Sequence, residues 1–160
     1  MKKHTLSVTV ENKPGVLTRV TTLFRRRGYN IESLTVGQTE NPTISRITLV
    51  VSGDDKIIEQ VTKQLYKLVD VIKIIDITEE RAVERELVLV KVKADTSVRS
   101  EIVQIVDIFR GRIVDIGRSS LIIEATGDSG KIDAIEVALA PFGIIELVRT
   151  GKVAMVRGGK

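Results

Sequence analysis

Polar and apolar residues alternate from the start of the chain: His4, Leu6, Val8 and Val10 share one parity, and Thr5, Ser7, Thr9 and Glu11 the other. That period-two pattern predicts a strand with one buried face. After a short polar break, Val16, Leu17, Val20, Leu23 and Phe24 recur at helical spacing, which predicts a helix with that stripe toward the core and Arg19, Thr22, Arg26 and Arg27 facing away. Gly28 ends it. Residues 30–39 alternate again, with Leu34 and Val36 opposed to Ser33 and Thr35, and residues 44–52 follow with Ile47, Leu49 and Val51 on one face. The two predict a hairpin across Glu40, Asn41, Pro42 and Thr43. Gly53, Asp54 and Asp55 supply a helix start for the stripe Ile57, Ile58, Val61, Leu65 and Leu68. A β-branched run over residues 71–78 then reads as a fourth, well-buried strand.

The charged segment 79–86 interrupts this pattern and is expected to be a linker, with room for a short helical turn. A second cycle follows. Residues 87–94 predict a strand, and Val98, Ile102, Ile105, Val106 and Phe109 a helix closed by Gly111. Residues 113–116 and 121–125 predict a hairpin, and Asp128 opens a helix with the stripe Ile132, Ile135 and Leu139, stopped by Pro141 and Gly143. Residues 144–149 and 152–156 add strands. The order β-α-β-β-α-β thus occurs twice, which predicts an α+β chain of two ferredoxin-like sandwiches, each with helices on one face of a four-stranded antiparallel sheet. The expected domains are 1–78 and 87–160, joined by 79–86. A sheet face or edge left bare on so small a domain predicts a homodimer, paired side by side or face to face.

Composition narrows the chemistry. A hydrophobic fraction of 42% in 160 residues is ample for a packed core, while 3% aromatics and no Trp make that core aliphatic. The absence of cysteine excludes disulfides, thiolate metal sites and a cysteine nucleophile, and a single histidine argues against a catalytic triad or histidine metal cluster. Carboxylates such as Asp54 and Asp55 sit where they cap a helix or solvate a surface, so no catalytic residues and no metal site are expected. The net charge of +4 includes one dense run, Arg25, Arg26 and Arg27, at a helix carboxyl end where cations offset the helix dipole. With acids interspersed elsewhere and few aromatics to stack on bases, no nucleic-acid partner is expected. An apolar run long enough for a membrane is missing, and the start carries no signal core, so a cytoplasmic chain without membrane association is expected.

The chemistry that remains lies at the joint between the first strand and first helix, Glu11, Asn12, Lys13, Pro14, Gly15, Val16 and Leu17. Pro14 presets the backbone for a first helical turn, Gly15 lets a ligand approach the main chain, and the unpaired amides there attract a carboxylate. The same residues also make an ordinary helix-capping turn, and the local pattern alone leaves both readings open. The equivalent joint of the second half, Asp95, Thr96 and Ser97, is expected to cap its helix but has no glycine. A ligand at this kind of joint belongs to the first half.

With these residues placed, the first half resembles an ACT domain, a small-molecule sensing module. The run from Glu11 to Leu17, then Leu23-Phe24 and Arg27-Gly28-Tyr29-Asn30-Ile31-Glu32-Ser33-Leu34, is similar to the regulatory small subunit of acetohydroxyacid synthase, also called acetolactate synthase. Gln64 to Val71, Val83 to Leu87, Ile108 to Gly111 and Thr126 to Asp133 extend the resemblance over nearly the whole chain. The resemblance implies a chain without catalysis of its own that stimulates a large catalytic subunit and confers feedback inhibition by valine, with leucine or isoleucine as alternative effectors. It implies that thiamine diphosphate, Mg and FAD sit on that catalytic subunit and no cofactor on this chain. It further implies an effector site shared by two protomers, with Asn12, Gly15, Val16 and Leu17 from one and Asn30 and Ile31 from the other. A stand-alone amino-acid sensor acting on another enzyme or on transcription is the rival reading.

Overall fold

The computed structural model describes residues 2–158. Its elements run β1 (Lys3–Glu11), α1 (Val16–Arg27), β2 (Ile31–Gln38), β3 (Ile44–Ser52), α2 (Asp55–Tyr66) and β4 (Val71–Asp76). The second cycle comprises β5 (Ala82–Lys93), α3 (Arg99–Ile108), β6 (Arg112–Ile116), β7 (Ser120–Gly127), α4 (Ser129–Leu139) and β8 (Ile144–Arg149). The strand β9 (Val153–Val156) follows. Strand order is β2-β3-β1-β4 in one sheet and β6-β7-β5-β8 in the other, with β9 also paired to β5. Each step of both strand orders is antiparallel. The ferredoxin-like order read from the periodicity is therefore present twice.

The chain divides into two compact units, one formed by the residues through Val83 with the segment from Lys152 onward, the other by Glu84–Gly151. Within the first, the Arg157 N–H donates to the Arg81 carbonyl at 2.7 Å, and the Lys152 N–H to Ser33 Oγ at 3.3 Å. The segment expected as a linker is occupied from Ala82 by β5, a twelve-residue strand with no helical turn. Its charges misled the reading. Glu84 and Glu86 share the inward parity of Val88, Val90 and Val92, and the Glu86 carboxylate is buried there.

Each unit has its own core of twelve fully buried residues: Leu6, Val8, Val20, Phe24, Leu49 and Leu65 are among those of the first, Val90, Ile102, Leu121, Ile132 and Leu139 among those of the second. Helix starts are made as the sequence indicates. Asp54 accepts from the Ile57 N–H and Asp128 from the Lys131 N–H, each an N-cap in extended conformation. Asp128→Ala should cost about 1 kcal/mol, the usual loss for such a cap, read as a lower midpoint of the second unit in urea. By contrast Asp95, expected to cap α3, accepts from the Ser97 N–H and hydroxyl in the turn before it, while α3 begins at Val98 with no side-chain cap.

β4 corrects a second expectation. It is an edge strand, and Ile72 and Ile75 on it are exposed. A β-branched run reports strand propensity but not how many neighbours the strand has. The outer edge of β4 is met by the Tyr66 hydroxyl, which accepts from the Ile74 N–H at 3.0 Å and donates to the Ile74 carbonyl at 3.4 Å.

Candidate effector site

The turn between β1 and α1 is held from both sides. The Glu11 N–H donates to the Asp70 carbonyl at 2.9 Å, the Asn12 N–H to the Thr43 carbonyl at 2.8 Å, and Asn12 Nδ2 to the Pro42 carbonyl at 2.9 Å. The loop before β4 and the β2–β3 hairpin turn therefore fix its entry. Gly15 is the residue before the helix, with φ of 83°, a left-handed conformation that side chains disfavour. Here glycine is required by backbone geometry, not merely tolerated.

α1 begins without a side-chain cap and without an acid in its first turn, unlike α2 with its Asp54 cap and Asp55. The first amides of a helix have no partner within it. Here the Val16 N–H makes one long bond, 3.4 Å, to the Lys13 carbonyl. Among the described residues, those of Gly15, Leu17 and Thr18 have no acceptor. Three donors thus converge where the helix dipole is positive, a fitting seat for a carboxylate. Lys13 does not compete for this role, because it is engaged by Glu11 at 2.8 Å and that hydrogen bond raises its pKa.

The other candidate residues fall as follows. Val16 is buried in the core beneath the turn, so it offers the site its backbone; Leu17, expected in the buried stripe, is exposed beside it. The helix turns by about 100° per residue, so of this adjacent pair only Val16 joins Val20 and Phe24 inward. Asn30 is exposed and Ile31 half-buried against the first core. The structure does not bring these two to the turn within one chain. Ile31 lies level with His4 through Val51, whereas the turn follows Glu11, seven residues along β1. At roughly 3.4 Å per residue the two ends are about 24 Å apart.

Two participants were missed by the sequence reading. Arg19, expected to face away, reaches Asp70 with Nε at 2.9 Å and Nη2 at 2.6 Å, and Asp70 is buried. Its Nη1 lies 3.1 Å from where a Cβ on Gly15 would stand. Arg19 and Asp70 brace the turn from below: the carboxylate holds the arginine while the carbonyl holds Glu11. The pair is 51 residues apart in sequence, a separation that no local pattern reports.

The corresponding joint in the second unit is filled by its own chain. Arg99 Nε donates to the Ala94 carbonyl at 3.0 Å, and Nη2 to the Arg118 carbonyl at 2.8 Å and to that of Gly117. The second unit also carries a buried carboxylate, Glu86, gripped by Arg149 Nη2 and Ser129 Oγ. That hydrogen bond to Glu86 raises the Arg149 pKa. These contacts tie β5 to β8 and α4. Among the described residues no three His, Cys, Asp or Glu side chains gather as a metal would require, and no helix is long and apolar enough to cross a membrane.

A ferredoxin-like unit with an uncapped, glycine-led first helix is the architecture of an ACT domain, and a family model for the small-subunit-like ACT domain of acetohydroxyacid synthase matches residues 6–73. A second model, for the small subunit of acetolactate synthase, matches residues 85–158. The chain belongs to the acetolactate synthase small subunit family. It is 61% identical to a probable acetolactate synthase small subunit of Archaeoglobus fulgidus over 99% of each chain. It is 53% identical to the acetolactate synthase small subunit of Mycobacterium bovis, over 98% of this chain and 94% of that one. The crystal structure of the small subunit from Thermotoga maritima superposes with a TM-score of 0.91 at 47% identity, covering all of both chains.

Proposed function

We propose that this chain stimulates the catalytic subunit of acetolactate synthase and transmits feedback inhibition by valine. The observation that carries the reading is the set of unclaimed amides at Gly15, Leu17 and Thr18 in a chain of this family. Their donors hold the valine carboxylate. Asn12, whose Nδ2 is spent on Pro42, presents Oδ1 to the ammonium group. Leu17 stands exposed beside the turn, where it meets the branched side chain. Asn30 and Ile31, too distant within one chain, come from the other protomer of a dimer and close the pocket with an acceptor and an apolar wall. Such a site takes a zwitterion without burying an unpaired charge, which would be costly. The chain itself performs no chemistry; thiamine diphosphate, Mg and FAD are assigned to the catalytic subunit.

Feedback then requires a coupling of only about 1–3 kcal/mol between effector site and subunit interface. The test is reconstitution. Purified alone with thiamine diphosphate and Mg, the chain should form no acetolactate from pyruvate; added to its catalytic subunit, it should raise the rate, and valine should remove that gain. Valine at one hundred times its dissociation constant should also stabilise the dimer by about 2.7 kcal/mol. Acetolactate formation by the chain alone, or valine binding by a monomer at micromolar concentration, would overturn the reading.

A further inference from the structure

The helix layer of the first unit contains a groove of about 330 Å³ that begins beside the effector turn at Thr18 and Arg19 and runs along α1 away from it. It is lined by Arg19, Leu23, Arg26 and Arg27 of α1, with Gln64 of α2 and Leu68 just beyond it. The charges are one-sided: α1 carries four arginines and no acid. Arg19 is matched by Asp70, but Arg27 Nη2 donates only to the neutral Gln64 Oε1 at 3.1 Å. Arg26 makes no ion pair among the described residues. Helix-dipole compensation accounts for cations in a last turn. It does not account for a concave surface with a leucine floor and two guanidinium groups whose charge nothing neutralises.

The geometry points to this groove as a docking site for an acidic, amphipathic segment of the acetolactate synthase catalytic subunit, with carboxylates on Arg26 and Arg27 and an apolar side chain between Leu23 and Leu68. Planar guanidinium groups favour carboxylates, which they bind through paired hydrogen bonds. Opposite charge across an interface raises the association rate and selects the partner. A single-stranded nucleic acid would need stacking surfaces, and the nearby aromatic, Tyr29, is packed in a T-shaped pair with Phe24 and places its hydroxyl on Gln60. The groove also explains how valine is felt. Arg19 lines it, pairs with Asp70 and packs under Gly15, so one side chain belongs to both the docking surface and the effector turn. This assignment rests on the regulatory function proposed above.

The experiment uses the full chain and the catalytic subunit of the same organism. Association is measured by interferometry at low and moderate salt, and valine binding to the small subunit alone by calorimetry. The double variant Arg26→Glu with Arg27→Glu should weaken association at least tenfold and flatten its salt dependence, while valine binding stays within twofold of wild type. A second double variant, Lys56→Glu with Lys73→Glu, makes the same charge change on exposed residues of the same unit outside the groove and should change association less than threefold. Undiminished association of the arginine variant overturns the proposal, as does an equal loss in the lysine variant, which would mark diffuse charge attraction. If inorganic phosphate binding is the only property the arginine variant loses, the groove is a small-anion site and the proposal falls. A wild-type chain that neither binds nor stimulates the catalytic subunit sinks the regulatory function itself, and is thereby distinguished from failure of the groove alone.

Discussion

Replacing Gly15 by Asp should abolish valine inhibition of the reconstituted enzyme while leaving its stimulated rate intact. With φ at 83°, any side chain at this position costs about 1–2 kcal/mol of backbone strain. A Cβ would meet Arg19 Nη1 at 3.1 Å, so that flexible group must give by a few tenths of an ångström. The new carboxylate would then stand beside the free amides of Leu17 and Thr18 and take the seat of the valine carboxylate. Strain, occupation and like-charge repulsion oppose the ligand together, so a shift of well over tenfold in half-inhibitory valine is expected. The core positions Leu6, Val8, Val20 and Phe24 lie outside the turn and should be undisturbed. Asn30→Ala should shift the valine titration in the same direction but less, because it removes one acceptor and leaves the amides in place. A Gly15→Asp chain that stimulates fully and remains as valine-sensitive as wild type would place the effector elsewhere.

Phe24→Ala should destabilise the first unit by about 3–5 kcal/mol, the range for removing a buried aromatic ring. Phe24 is 1% exposed and meets Tyr29 edge to face at a centroid distance of 6.1 Å. The ring fills the space between α1 and the sheet, and neither Val20 nor Leu65 can close the cavity without moving its helix. Because the cores of the two units share no residue, the loss should fall on one of them. Hydrogen exchange should show protection lost in β1, β3 and α1 and retained in β5, β7 and α4. A single concerted loss over both units would show instead that they unfold as one cooperative body.

The topology was legible because each half is built from strong, uninterrupted periods: the parity of Leu6, Val8 and Val10, the stripe of Val20 and Phe24, and caps at Asp54 and Asp128 all agree. Gly15 was legible as a place where a ligand can approach, and its positive φ gives that reading a geometric basis. Burial was less legible than element type. Leu17 and Ile72 are apolar residues that the pattern assigns to the core, yet their exposure is set by helix phase and by strand order, neither of which a short window contains. The brace of Arg19 on Asp70 was invisible for another reason. An arginine on the flank of a helix looks solvated until the loop that supplies its carboxylate, Leu68 to Asp70, has been folded against it. In the same way charge made residues 82–86 look like a linker, because the partner that lets Glu86 be buried in β5, Arg149, lies 63 residues along the chain.

The hydroxyl of Tyr66 on the edge of β4 bears on how many copies can come together. A sheet with two open edges can add a neighbour on each side, and that neighbour another, so nothing limits the size of the assembly. The Ile74 amide and carbonyl are already occupied, so the middle of the β4 edge is blunted, and β2 is the other margin of the sheet. In a dimer of the kind proposed above, two chains meeting margin to margin about a twofold axis would use up both β2 edges at once. Such a pairing would give a particle of fixed size instead of a growing ribbon, with a phenolic oxygen on each outer flank opposing the addition of a further strand there.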